Sequence, residues 1–341
     1  MKTSDLIFQY LNENKSASGT DIARHLGLSR QAVNKHLKQL IQEGKVRKAG
    51  VTKAALYFPS SGKVMKTRLN KISRKYRLSH LNEDTVFQEI DRLLRFKKNL
   101  RSNVFDIIRY TFTEMLNNAI DHSGSDRCLV EVGLGYYTIN IRIRDYGIGI
   151  YFSIDQKYNL TDEIEAAGEL LKGKTTTMKE QHSGEGIFFT SKAVDVASFR
   201  SHNLKLTFDN IRRDIFIEQE RFIKGTEVIL QTSINSRRDI TEIFSRFAPE
   251  EYAYSFQRTR IHVKLYLHEF VSRSEARRIL SGLDKFREII LDFKDVKKIG
   301  QGFADEIFRV FPGRHPDIVI RTENTAPAIR QMIKHVVDNN L

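Results

Sequence analysis

FTEMLNNAIDHS, residues 112–123, forms the last three turns of a helix predicted from about Asn103 to His122. Glu114, Asn118 and Asp121 fall at i, i+4 and i+7 and so share one face. Ile108, Phe112, Met115 and Ala119 occupy the opposite side and suit burial. A carboxylate, an amide and a second carboxylate on an otherwise apolar helix are costly to bury without partners. A hard cation with a phosphate ligand is a natural partner, because magnesium takes oxygen ligands and keeps several waters.

Three glycine-bearing stretches follow this helix. In RDYGIGI (144–150), Asp145 ends a strand, and Gly147 and Gly149 let backbone approach a ligand closely. In HSGEGIFF (182–189), Gly184 and Gly186 lead into a helix whose first amides suit an anion. In KGTEVIL (224–230), Gly225 and Thr226 open a strand. Strands are also expected at 128–134, 138–144, 197–201, 204–209 and 214–218, with a helix near 162–172 inside a loop-rich stretch from 151 to 183. The strand opened at Thr226 is expected to run to 231. Taken in order, these motifs resemble the GHKL ATPase superfamily of gyrase, mismatch-repair ATPases, heat-shock chaperones, histidine kinases and anti-sigma serine kinases. The resemblance covers about residues 81–235.

It implies a role for each matching position. Asn118 would coordinate Mg2+ on the triphosphate, and Asp145 would accept from the adenine amino group with support from Thr226. Gly147 and Gly149 would let the loop close, Gly184 and Gly186 would seat phosphates, and Asp121 and Lys174 would complete the ATP site. The KGKTTT stretch, with Lys172 and Lys174, would belong to a mobile lid. Glu114 would be the general base for an attacking water or hydroxyl. Histidine kinases typically have an amide where Glu114 stands, and no His-Glu-x-x-x-Pro phosphoacceptor helix is present. His80, His122 and His182 are read as structural or supporting residues, and Cys128 as a small core hydrophobe.

Upstream, residues 1–60 read as three short helices and a hairpin. Leu6, Ile7, Tyr10 and Leu11 mark the first helix; Ile22, Ala23 and Leu26 mark the second, which Gly27 ends. Ser29 caps a third helix running to Gly44, with Val33, Leu37, Leu40 and Ile41 inward. Its outward residues include Arg30, Gln31, Asn34, Lys35 and Lys38. The hairpin after it carries Arg47, Lys48 and Lys53. This order resembles a winged helix-turn-helix. Amide and basic side chains on the third helix suit purine edges in the major groove, and the hairpin cations suit phosphates of double-stranded DNA. Residues 61–80 hold seven basic residues and no acidic one, and read as a basic linker.

Downstream, residues 258–341 alternate strand and helix three times, which predicts a small, mostly parallel α/β unit. The strands are expected at 260–267, 288–293 and 317–321, and the helices at 274–283, 302–310 and 326–337. EIILDFKDVKKIGQGFADEIFRVF (288–311) resembles STAS-like domains. Phosphorylated members have a serine just before this helix, whereas here the loop is Ile299-Gly300-Gln301-Gly302-Phe303.

The expected fold class is therefore multidomain α+β and α/β: a winged helix-turn-helix (1–60), a basic linker (61–80), a GHKL-type α/β sandwich or Bergerat fold (81–255), and a STAS-like α/β domain (258–341). Charge agrees with that division. Residues 1–80 carry 17 Lys+Arg against 4 Asp+Glu, which leaves the rest nearly neutral within a total of +14. Such asymmetry suggests a polyanion-binding module on a neutral body. One cysteine in 341 residues excludes a disulfide framework and a thiolate-built zinc site. No apolar run reaches the roughly 18 residues of a membrane span, and a cytoplasmic protein is expected. The resemblances imply a DNA-binding regulator controlled by Mg-ATP binding or slow hydrolysis at the GHKL-type site. A protein serine kinase and a non-hydrolysing scaffold are the alternatives. A protein partner for the STAS-like domain and a homodimer are further expectations.

Overall fold

The computed structural model describes residues 3–14, 16–49, 55–60, 70–135, 138–160, 162–174, 185–250, 255–265 and 270–338. Lys53, Gly184 and residues 175–183 of the expected lid lie outside them.

Two serines set the N-terminal unit. After α1 (Thr3–Asn14) and β1 (Ala17–Ser18), Ser18 caps α2 (Gly19–Leu26) in a reciprocal capping box with Asp21. Gly27, in the left-handed region at φ 64°, ends it. Ser29 caps α3 (Arg30–Gln42) by accepting from the Ala32 amide at 3.2 Å. β2 (Val46–Ala49) and β3 (Leu56–Pro59) form the antiparallel wing, and β1 pairs with β3. Ile7, Leu11, Ile22, Val33, Leu37, Leu40 and Val46 bury together as the core of this unit.

The expected linker is in part a strand. β4 (Asn70–Arg77) pairs antiparallel with β5 (Arg127–Leu134) at the edge of a five-stranded sheet. Lys71, Arg74, Lys75 and Arg77 are exposed while Ile72 and Tyr76 turn toward the core. Arg74 shares the face of Ile72 and Tyr76 and pairs with Glu89 of the following helix, and this charge on the inner side hides the period-two signal.

α4 (Glu83–Leu94), α5 (Phe96–Asn99) and α6 (Ser102–His122) follow β4. β5 then pairs with β6 (Thr138–Asp145). α7 (Ile150–Tyr158) replaces the start of the expected loop, because Tyr151 and Ile154 reach the core from one helical face. α8 (Glu163–Lys172) and α9 (Gly186–Ala193) come next. The four strands expected between 197 and 231 are two long ones, β7 (Val196–Asp209) and β8 (Asp214–Ser233). The break read at 202–203 is a register irregularity within β7, not a strand end.

The sheet order is β4-β5-β6-β8-β7, with every neighbour antiparallel. Cys128, Val130, Val132, Ile139, Ile141 and Ile143 line the face that packs on the helices. The other face is polar: Arg142 donates to Glu131 at 2.8 Å and, through Nε, to Glu227 at 2.9 Å. Cys128 is fully buried as expected, and burial pushes its thiol up to about 12.

α10 (Ile240–Phe247) leads into β9 (Arg258–His262), a 3-10 turn (Val263–Leu265) and α11 (Arg273–Leu280). β10 (Glu288–Asp292) is followed by α12 (Gln301–Asp305), a π turn (Glu306–Val310) and α13 (Phe311–Arg314). β11 (Val319–Glu323) and α14 (Pro327–Asp338) end the chain's described structure. β9, β10 and β11 form a wholly parallel sheet in the order β11-β10-β9. Its core is not closed at residue 258. Phe188 and Phe189 of α9 and Phe247 of α10 bury in the same cluster as Phe256, Phe286, Ile289 and Phe303. The boundary in sequence is therefore not a boundary in packing.

Candidate functional site

α6 brings Glu114 against the start of α9, Asn118 one turn further on, and Ser123 at its end against the loop after β6. The Asn118 side-chain nitrogen is buried with no hydrogen-bond partner among the described residues. Oxygen and nitrogen ends of an amide are assigned from their surroundings, so the same end can present a carbonyl oxygen to a cation. The Glu114 carboxylate occupies the space where a side chain at Gly186 would begin. Asp121, also on α6, is exposed.

The loop Asp145–Gly149 is held as a knot. Asp145 is 5% exposed, and its Oδ1 accepts from the Gly147 amide at 2.9 Å and the Thr226 amide at 3.1 Å. Burial raises the Asp145 carboxyl above its ordinary value, and those amides pull it back down. The Thr226 hydroxyl accepts from the Ile150 amide at 3.0 Å. A methyl group on Gly147 would collide with the Ser123 carbonyl at the end of α6, and Gly225 sits at φ 77° over the Asp145 backbone. Both glycines are thus required by close backbone approach.

Two residues absent from the sequence reading join this loop. A Cβ on Gly149 would lie 2.5 Å from Ser201 Oγ and 2.9 Å from His202 Nε2. Ser201 Oγ is buried with no hydrogen-bond partner among the described residues, and His202 pairs with Glu163 at 2.5 Å. The irregularity in β7, with His202 at φ 48°, was the available signal. Lys174 packs against aromatic rings. Its ammonium donates to the Lys285 carbonyl at 3.0 Å and lies 4.9 Å from the Phe286 ring centre. Burial lowers the Lys174 ammonium below its ordinary value, and the Glu185 carboxylate at the start of α9 partly opposes this.

Together, Asn118, Asp145, Gly147, Gly149, Gly186 and Thr226 give a buried carboxylate, an unsatisfied amide and glycine-lined backbone beside a general-base candidate. Among the described residues no three His, Cys, Asp or Glu side chains converge as a metal site. A cation here would rely on Asn118, water and its own ligand's oxygens.

On the N-terminal unit, Gln31, Asn34, Lys35 and Lys38 line one shallow groove along α3 with Gln39 and Gln42. Arg30 also lies on α3, but its guanidinium is tied to the Thr20 hydroxyl. Lys48 is exposed on β2. Arg47 parts from the expected DNA set. Alternation along β2 turns it away from Lys48, over the Phe58 ring at 4.7 Å and toward Ser233 Oγ at 3.4 Å.

The comparisons agree with the two ends of the chain. Residues 3–47 match the family described as winged helix-turn-helix DNA-binding. Residues 275–330 match a STAS-like domain of unknown function. No curated protein matches the chain. The chain thus combines an N-terminal winged helix-turn-helix with a C-terminal STAS-like domain across a mixed α/β body. No helix among the described residues is long and apolar enough to cross a membrane.

Proposed function

We infer that the protein is a DNA-binding regulator whose grip on DNA is set by Mg-ATP at the α6–β6–α9 site. The observation that carries the coupling is the course of α9. It starts at Gly186 beside Glu114 and buries Phe188 and Phe189, three residues at most along, in the core of the STAS-like unit. A ligand that reorders the start of α9 must therefore act on how that unit is packed.

Each side chain has a stated task. Asp145, fixed by two amides, accepts the adenine amino hydrogen. The amides at the start of α9 meet phosphate oxygens. Asn118 would hold a magnesium ion, which supplies charge neutralisation for the phosphates. Glu114 takes the proton of a water in hydrolysis, or of a protein hydroxyl if the protein is instead a serine kinase. The α3 groove reads DNA. The STAS-like unit takes a protein partner.

The test uses γ-labelled ATP with magnesium on the full chain, with Glu114→Ala and Asn118→Ala as variants. Free phosphate lost in both variants is the expected result; acid-stable label on protein would favour the kinase reading. Gel-shift titrations should give different DNA affinities with and without Mg-ATP. Equal affinities would sink the coupling, and no ATP retention would sink the nucleotide site.

A further inference from the structure

A second cavity lies between the wing and the central sheet. It has a volume of about 610 Å3 and is lined by Arg47, Arg101, Arg237 and Arg238, with Ser60, Asp195, Ser233, Asn235, Ser236 and Glu242. Four guanidiniums face two carboxylates. Asp195 is already satisfied: it accepts from the Ser233 amide at 2.8 Å and from Arg238 Nε at 3.4 Å. Arg238 also donates to the Lys192 and Asn210 carbonyls, so it is fixed framework. Against Glu242 that leaves Arg47, Arg101 and Arg237. Neither Arg101 nor Arg237 forms an ion pair among the described residues, and both are exposed. Ser60 Oγ, on the wing side, is buried with no hydrogen-bond partner among them.

We propose that this crevice binds a phosphate group, with Arg47, Arg101 and Arg237 as its charge and Ser60 as a hydroxyl donor. The size falls in the roughly 300–1,000 Å3 range of small-ligand sites. Guanidinium forks match phosphate oxygens bidentately. A buried hydroxyl without a partner costs free energy that a phosphate oxygen would recover.

The crevice is separate from the α6–β6–α9 site. Ser233 is seven residues along β8 from Thr226, roughly 23 Å at strand rise. Arg101 precedes α6, and Asn118 is sixteen residues beyond Ser102, roughly 24 Å at helix rise. The ligand would bridge the wing and the sheet and fix their relative orientation. Its phosphate comes either from a free phosphorylated compound or from the backbone of DNA held by the winged helix.

The experiment uses the full chain with Arg101→Ala/Arg237→Ala, and separately Ser60→Ala. Arg101 and Arg237 make no ion pairs to lose, so circular dichroism and the melting temperature should be unchanged. Inorganic pyrophosphate is titrated calorimetrically at low salt, in wild-type and Asn118→Ala backgrounds. The free-ligand source predicts at least tenfold weaker pyrophosphate binding in the double variant, several-fold weaker binding in Ser60→Ala, and no dependence on Asn118. The DNA source predicts that the double variant weakens binding to a duplex and lowers its salt slope by up to about two. Unchanged pyrophosphate and unchanged duplex binding together would overturn the proposal. Loss of the pyrophosphate signal in Asn118→Ala alone would assign that ligand to the other site and also overturn it, unless the duplex arm responds.

Discussion

The winged helix and the STAS-like unit both join the central sheet, but through opposite chemistry. At the C-terminal junction Phe189 packs on Phe244 and Phe256 with ring centres 4.4 and 5.1 Å apart, and Phe188 lies 4.6 Å from Phe256. Lys172, 2% exposed, ties the same junction by donating to Glu169 at 2.5 Å and to the Ser281 carbonyl at 2.8 Å. At the N-terminal junction the corresponding contact is Arg47 to Ser233 at 3.4 Å, over a polar cavity. Apolar burial is stabilising without any ligand, whereas a crevice with four guanidiniums and two carboxylates carries an excess of positive charge. The difference teaches that the STAS-like unit shares an apolar core with the body, while the winged helix meets it through polar contacts.

The strongest way to break this contrast is Phe189→Ala. Removing a ring 1% exposed at the aromatic junction should cost about 3–5 kcal/mol and lower the urea midpoint followed by circular dichroism. A cost below about 1 kcal/mol would mean the two units fold independently. Lys172→Ala comes next, at about 3 kcal/mol, because Glu169 loses its buried partner and the Ser281 carbonyl its donor.

A smaller, graded loss is expected with acid. Burial, with Lys192, Arg260 and Lys264 nearby, lowers the folded His262 imidazole below its ordinary value of 6.5, and Asp292 only partly opposes this. The unfolded chain therefore takes up that proton first, so stability falls as pH drops below about 6.5. His262→Gln should flatten the slope of melting temperature against pH between 6.5 and 5; an unchanged slope would place its origin elsewhere. Smallest of all, Arg47→Ala should stay within about 1 kcal/mol of wild type, since a long, partly exposed polar contact is weak. On the outer face, Lys35→Ala and Lys38→Ala should leave stability alone. Each should lower the salt slope of DNA binding by about one, and a flat slope would remove α3 from the interface.

Local signals in the chain were legible. Ser18, Ser29 and Gly27 mark the ends of α2 and α3 because capping is decided within four residues. The period of Val33, Leu37 and Leu40 fixed which face of α3 would be free. The alternation after 258 gave a parallel sheet. The knot of Asp145, Gly147 and Thr226 could be read as a set only through a resemblance, since Thr226 lies 81 residues from Asp145 and no local period joins them. Where charge masked a pattern, as in β4, the reading gave a linker in place of a strand. Ser201 and His202 were missed because their place beside Gly149 depends on β7 lying across the sheet.

The sequence by itself determined α2 and α3 with their serine caps, the long helix α6 with its candidate residues, and the positive N-terminal quarter. Those features follow from neighbours three or four residues apart and from composition. Only the tertiary structure decided that Arg47 turns toward Ser233 of the sheet, that Lys174 packs on Phe256 and Phe286, and that α9 links Gly186 to a distant core. These depend on which surfaces meet, and contacts between residues far apart in the chain leave no periodic trace in it.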